Sequence, residues 1–310
     1  MEMRHIKPAQ EKSRFWTGLW AELQQLATDY AVLMRLNRPI GIWLLLWPTL
    51  SALWVAGKGS PDPYVFTVFV VGVIVMRSAG CVINDYADRN LDGKVKRTAN
   101  RPLVNGRVAP VEALVIFTAL SSIGIGLVIT LNTYTQFLAV FAALLTIIYP
   151  FTKRFFAAPQ LILGCAYSWS IPMAFAAQTG EVPKLAWLMF LSVAIHAVIY
   201  DTMYAMADRE YDRKAGMKST AILFGQADVF LVSVLQIILL LALVLIGEVA
   251  QLGMWYLLSL PVVALLMLYE HGLIKERDPD KCLRAFLNNH YIGAAVFVGI
   301  ALDYIFRTPY

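Results

Sequence analysis

Hydrophobic residues run along this chain in long blocks, with the polar residues gathered into short breaks between them. Nine blocks stand out, at approximately 38–56, 64–83, 111–131, 134–150, 158–178, 184–203, 226–247, 250–270 and 287–305. Each approaches the roughly 20 residues that an α-helix needs to cross the hydrocarbon core of a bilayer. Pro48, Pro172 and Pro261 interrupt three of them, which membrane helices tolerate when neighbours satisfy the freed backbone groups. Ahead of the first block, Phe15, Trp16, Leu19, Trp20, Leu23, Leu26 and Ala27 recur at helical spacing. That is the pattern of an amphipathic helix lying on a membrane surface. The expected organisation is an amphipathic cytoplasmic segment over 1–36 and a single multi-pass domain over 37–310.

Composition agrees with the pattern. The chain is 59% hydrophobic and 15% charged, where a soluble domain carries about 25% charged residues, and its mean hydropathy is +0.62. Charge adds an orientation. Of the 26 lysines and arginines, 22 fall in the N-terminal segment or after the second, fourth, sixth and eighth blocks. Lys58, Lys184 and Arg307 lie on the other side, and Arg77 sits inside a block. So strong a bias places the N-terminus and those four loops in the cytoplasm and the C-terminus opposite. The net charge of +5 therefore reflects topology and anionic lipid, and no nucleic-acid partner is called for. Cys81, Cys165 and Cys282 show no metal-ligand spacing and read as reduced packing residues. The N-terminus has no apolar core and cleavage site of a signal peptide.

The chemistry lies in the polar breaks. In 77–107, Asn84, Asp85, Asp88 and Asp92 close an apolar helix, and Lys94, Lys96, Arg97, Arg101 and Arg107 follow. Asp85, Asp88 and Asp92 share a helix face, where like charges repel unless a cation neutralises them. Oxygen donors suit a hard divalent ion, and the basic run suits a polyanion held by it. The break after the sixth block repeats the logic, with Asp208 and Asp212 one turn apart and Arg213, Lys214 and Lys218 following. Two such motifs 120 residues apart, both on the cytoplasmic side, suggest two related halves around a central cavity. Tyr149 and Lys153 form a third element. A phosphate contact and an aromatic-belt tyrosine beside a snorkelling lysine fit these two positions equally well. Asp88-x-Asn90-x-Asp92-Gly93 imitates a calcium loop, but Ala99 stands where a bidentate glutamate is required. His196, mid-block, is better suited to a helix–helix hydrogen bond than to a metal.

The paired motifs, Asn84-Asp85-x-x-Asp88-x-x-x-Asp92 and Asp208-x-x-x-Asp212, resemble those of the UbiA superfamily of intramembrane prenyltransferases. The flanks at 35–54, 84–103, 171–183 and 200–225 are most similar to the branch that acts on 4-hydroxybenzoate. Homogentisate and naphthoate acceptors are the alternatives within the family. The resemblance covers the chain from about residue 30 onward. It implies an all-α membrane fold of about nine helices around a central cavity, with a lateral opening to lipid and a place in the bacterial inner membrane. It implies Mg²⁺ as cofactor, and polyprenyl diphosphate, 4-hydroxybenzoate and the bilayer as partners. By position, Asn84, Asp88, Asp92, Asp208 and Asp212 would hold Mg²⁺ and diphosphate, with Asp85 beside them in the metal set. Asp88, Asp92, Asp208 and Asp212 would be catalytic. Tyr149 and Lys153 match the family's YxxxK element and would bind diphosphate with Arg97, Arg101, Arg213 and Lys214. Arg77 matches a position associated with the aromatic acid. A cation-coupled transporter, the rival class, would keep its carboxylates near the bilayer midplane rather than at helix ends.

Overall fold

A computed structural model of the chain describes residues 8–92, 98, 100–152 and 154–306. Among them, every regular element is helical. In chain order these are α1 (Pro8–Leu33), α2 (Ile40–Ala56), α3 (Pro63–Asp92), α4 (Pro110–Ile129), α5 (Thr133–Thr152) and α6 (Pro159–Ser168). Then come α7 (Ser170–Thr179), α8 (Lys184–Lys214), α9 (Thr220–Phe224), α10 (Asp228–Val249), α11 (Met254–Ile274) and α12 (Pro279–Phe306). Among the described residues, seven helical stretches are long and apolar enough to cross a membrane, and Ile40–Ala56 and Thr133–Tyr149 are shorter apolar helices. The chain is an all-α, multi-pass membrane protein.

Local sequence sets the helix ends. Asp62 caps α3, its Oδ1 accepting from the amides of Tyr64 and Val65 at 2.9 Å, with Pro63 at the first helical position. Glu112 reaches back from the first turn of α4 to accept from the amide of Ala109 at 2.7 Å, half of a capping box. Asn132 caps α5 through the amide of Thr135 at 2.9 Å. Pro48 deprives α2 of one internal donor, and the hydroxyls of Thr49 and Ser51 bond back to the carbonyls of Leu45 and Trp47 at 2.7 and 3.0 Å. The fifth apolar block is two helices meeting at Trp169. Pro172, just inside α7, cannot supply the amide that would continue α6. The Trp169 indole instead donates to the carbonyl of Leu138 in α5 at 2.8 Å.

The chain divides into two compact units, Met1–Pro39 with Ser78–Ala119, and Ile40–Arg77 with Leu120–Tyr310. The smaller unit packs around Leu33, Val82, Leu103, Val108 and Ala113, apolar side chains from α1, α3, α4 and the loop before α4. In the larger unit α8 packs on α6, α10 and α12, and α12 also packs on α2 and α11. Leu53, Ile171, Met203, Tyr256 and Ile292 are nearly sealed from solvent there. At Gly164 a Cβ would lie 2.8 Å from the backbone oxygen of Ala194, so a glycine permits the close approach of α6 to α8. Glu270 is fully buried, and its two oxygens accept from Gln236 and Asn288 at 2.9 Å each. Those donors offset part of the expense of a carboxyl group buried among α10, α11 and α12.

Candidate functional site

The second acidic motif closes α8. Asp208 and Asp212 lie one turn apart and half-buried, and Arg213 and Lys214 are exposed just beyond them. Between the two carboxylates, Arg209 turns away toward Asp228 at the start of α10. Asp228 is fully buried and also pairs with Arg277, which lies between α11 and α12, at 2.9 Å. Arg277 has positive φ (58°) and donates a further bond to the carbonyl of Gln226 at 2.8 Å. The turn that carries the motif is thereby fastened to two other helix ends.

The first motif closes α3. Asn84 and Asp88 are half-buried there. Asp85 is buried and holds two arginines, Arg35 at 2.8 Å and Arg101 at 2.9 Å. Arg35 has positive φ (60°) and also donates to the carbonyl of Val32 at 2.9 Å. Arg107 pairs with Asp29 of α1 at 3.3 Å. Asp85 thus draws the basic loop after α3 and the end of α1 onto its own helix. Asp92 is the last residue of α3, but its side chain lies outside the described set, as do Lys94, Lys96 and Arg97.

Tyr149 stands near the end of α5, where the Thr152 hydroxyl donates to its carbonyl at 2.6 Å; Lys153 lies outside the described residues. The loop beyond and the start of α6 are tied to the segment that follows α8. Lys218 Nζ donates to the carbonyl of Phe155 at 2.9 Å, and the amide of Thr220 donates to Gln160 at 3.0 Å.

Arg77 sits seven residues before Asn84, about 10 Å deeper along α3. Its guanidinium packs on the backbone of α2 at Gly41, where a Cβ would come within 2.7 Å of Cζ. Its Cζ lies 5.9 Å from the centroid of the Tyr167 ring. Tyr167 meets Tyr200 edge-on at 6.3 Å, and Tyr200 meets His196 at 5.4 Å and Phe286 at 6.1 Å. His196 shares a hydrogen bond with Asn289 of α12 at 3.1 Å, the interhelical bond expected of it. It also borders a narrow cavity of about 50 Å³ walled by Trp47, Ser192, Leu239, Asn289 and Gly293. In the sequence, Gly41, Tyr167, Tyr200, Asp228 and Arg277 carry no assigned role. Their spacing carries no motif, and only the packing brings them to charged partners.

The donors of each motif suit Mg²⁺. Among the described residues no three His, Cys, Asp or Glu side chains gather as a ready-made metal cage. Mg²⁺ does not ask for one, since it binds through one or two carboxylates, several waters and the oxygens of a phosphorylated substrate. Asn84 and Asp88 on α3, and Asp208 and Asp212 on α8, offer hard oxygen donors at helix ends.

Residues 45–293 match the model of the UbiA prenyltransferase family. The 4-hydroxybenzoate octaprenyltransferase of Alkalilimnicola ehrlichii is 54% identical, over 91% of this chain and 96% of that protein. That of Aeromonas hydrophila is 52% identical, over 89% and 96%. Among solved structures, a UbiA homolog from Aeropyrum pernix K1 superposes with a TM-score of 0.75 at 24% identity, over 85% of this chain and 97% of that one. A UbiA homolog from Archaeoglobus fulgidus bound to GPP and Mg²⁺ gives 0.69 at 17% identity, over 89% and 99%. Identity above half over nine-tenths of the chain, with paired aspartate motifs on α3 and α8, places this chain in the UbiA family of membrane prenyltransferases.

Proposed function

We propose that the protein transfers a polyprenyl group from polyprenyl diphosphate to the ring carbon ortho to the hydroxyl of 4-hydroxybenzoate, with Mg²⁺, as a membrane step of ubiquinone biosynthesis. The names of its relatives support the acceptor. The observation that carries the reading is Arg77: a guanidinium within a membrane span, over the ring of Tyr167, is costly to insert and points to a functional role. Its planar fork matches a carboxylate.

Asn84, Asp88, Asp92, Asp208 and Asp212 would hold Mg²⁺, and both motifs are needed for one turnover. When bound, the ion offsets charge on the departing diphosphate. Asp85, already engaged by Arg35 and Arg101, serves the site by holding the basic loop in place. Tyr149, Lys153, Arg97, Arg101, Arg213 and Lys214 bind the diphosphate. The allylic C–O bond breaks with its electron pair going to diphosphate, the ortho carbon forms the new C–C bond, and the ring then loses that carbon's proton. Arg77 turns the acid end away from the diphosphate and presents the ortho carbon. The surrounding aromatic side chains keep out water, which would trap the allylic cation. The long apolar tail explains the setting, because each CH₂ buried in lipid contributes about 0.8 kcal/mol.

Purified protein with Mg²⁺, labelled 4-hydroxybenzoate and a panel of prenyl diphosphates tests the reaction. Transfer to homogentisate or a naphthoate instead would overturn the acceptor. Arg77→Lys keeps the charge and loses the fork. It is expected to raise the KM for 4-hydroxybenzoate at least about tenfold, or about 1.4 kcal/mol, with the KM for prenyl diphosphate nearly unchanged. An effect on the diphosphate alone would remove Arg77 from acid recognition.

The distribution of basic residues supports a cytoplasmic setting for both motifs. Reporter fusions at Lys94 and Arg213 should read as cytoplasmic, and one after Tyr310 as external. Motif loops reading on opposite faces would rule out a shared substrate.

A further inference from the structure

Tyr200 is 4% exposed, and its hydroxyl has no hydrogen-bond partner among the described residues. A buried, unsatisfied hydroxyl destabilises a fold, and phenylalanine would fill the same space without that penalty. The ring has no freedom to swing its oxygen to a partner elsewhere. Tyr167, His196 and Phe286 meet it edge-on, with centroids 5.4–6.3 Å away, and Leu44 and Ala197 pack beside it. The Tyr167 ring also links it to Arg77, whose Cζ lies 5.9 Å from that ring's centroid. Tyr200 lies eight residues before Asp208, about 12 Å deeper along α8. Arg77 stands a similar distance inside its own motif. The two groups thus stand at similar depths along their own helices.

A carboxylate offers about four lone-pair sites, and an arginine fork takes two. Arginine donates only, so it leaves the phenolic proton of Tyr200 without a receiver. A carboxylate held by Arg77 would keep lone pairs to spare and supply that receiver. We infer that the Tyr200 hydroxyl donates a hydrogen bond to the carboxylate of the aromatic acceptor, as a second point of recognition beside Arg77, with Gly41 leaving the room in which that guanidinium sits. The inference rests on the acceptor proposed above and adds Tyr200 and Gly41 as specificity-determining residues for aromatic acids.

The test is equilibrium binding of labelled 4-hydroxybenzoate to the purified full-length protein without prenyl diphosphate, together with steady-state kinetics. Tyr200→Phe should weaken binding of 4-hydroxybenzoate about tenfold and raise its KM to match. kcat and the KM for prenyl diphosphate should stay within about twofold, and thermal stability should hold or rise. In an Arg77→Lys background the same change should have a smaller effect, since both groups hold one carboxylate. Gly41→Ala, which forces only the far end of a flexible side chain to move, should give the same acid-specific loss in a folded protein. Unchanged 4-hydroxybenzoate binding in Tyr200→Phe, or a loss directed at prenyl diphosphate, would overturn the inference while leaving the proposed reaction standing. A wild-type protein that neither binds nor prenylates 4-hydroxybenzoate would bring down both.

Discussion

Asp88→Ala and Asp208→Ala should each lower turnover by at least about a hundredfold, the scale on which losing one preorganised charge-stabilising group acts, while the protein stays folded. The two carboxylates close different helices, α3 and α8, and both are half-buried. A Mg²⁺ ion with one or two protein carboxylates cannot lose one and keep its place on the substrate. The fold should tolerate either change, because each removes one of several like charges crowded on a helix face. Turnover at saturating Mg²⁺, with elution volume and melting temperature compared to wild type, measures both halves of the expectation. Full activity in EDTA, or in either variant, would sink the metal assignment.

Much of this architecture is legible in the sequence, and the differences have physical causes. Apolar blocks locate the membrane helices because lipid demands long unbroken hydrophobic surfaces. They understate the helices that carry the chemistry. The block at 64–83 is the lower part of a helix that runs on to Asp92, and the block at 184–203 belongs to one that runs on to Lys214. Hydropathy stops where the polar residues begin, but helical hydrogen bonding does not. At Trp169 the reverse holds, since uniform apolarity conceals a break that Pro172 imposes. The acidic motifs are visible because their members are near neighbours at helical spacing. Their supports are not, since Asp85 finds Arg35 fifty positions away and Arg277 finds Asp228 across forty-nine. Nothing periodic announces such pairs. For the same reason Tyr200 reads as one more aromatic in an apolar run until its neighbours are in view.

Asp228→Ala should destabilise the protein by about 3–5 kcal/mol, the usual consequence of removing one partner from a buried ion pair. Asp228 is sealed from solvent between two guanidinium groups, with Arg209 15% and Arg277 32% exposed. Arg277 is the more screened, so Arg209 bears most of the loss; its charge would be left inside the packed end of α8 with nothing to balance it. At this chain length such a change corresponds to a fall of about 5–8 °C in melting temperature. The cause can be separated from simple loss of packing. Removing all three charges together, as Arg209→Met, Asp228→Leu and Arg277→Met, should recover much of the stability, because an apolar replacement of a whole buried triad is often neutral or better. Melting of Asp228→Ala within about 2 °C of wild type would show that the carboxylate contributes no net stability. If the triple variant melts as low as Asp228→Ala, what is lost is the fastening of α8 to α10 rather than the balance of charge.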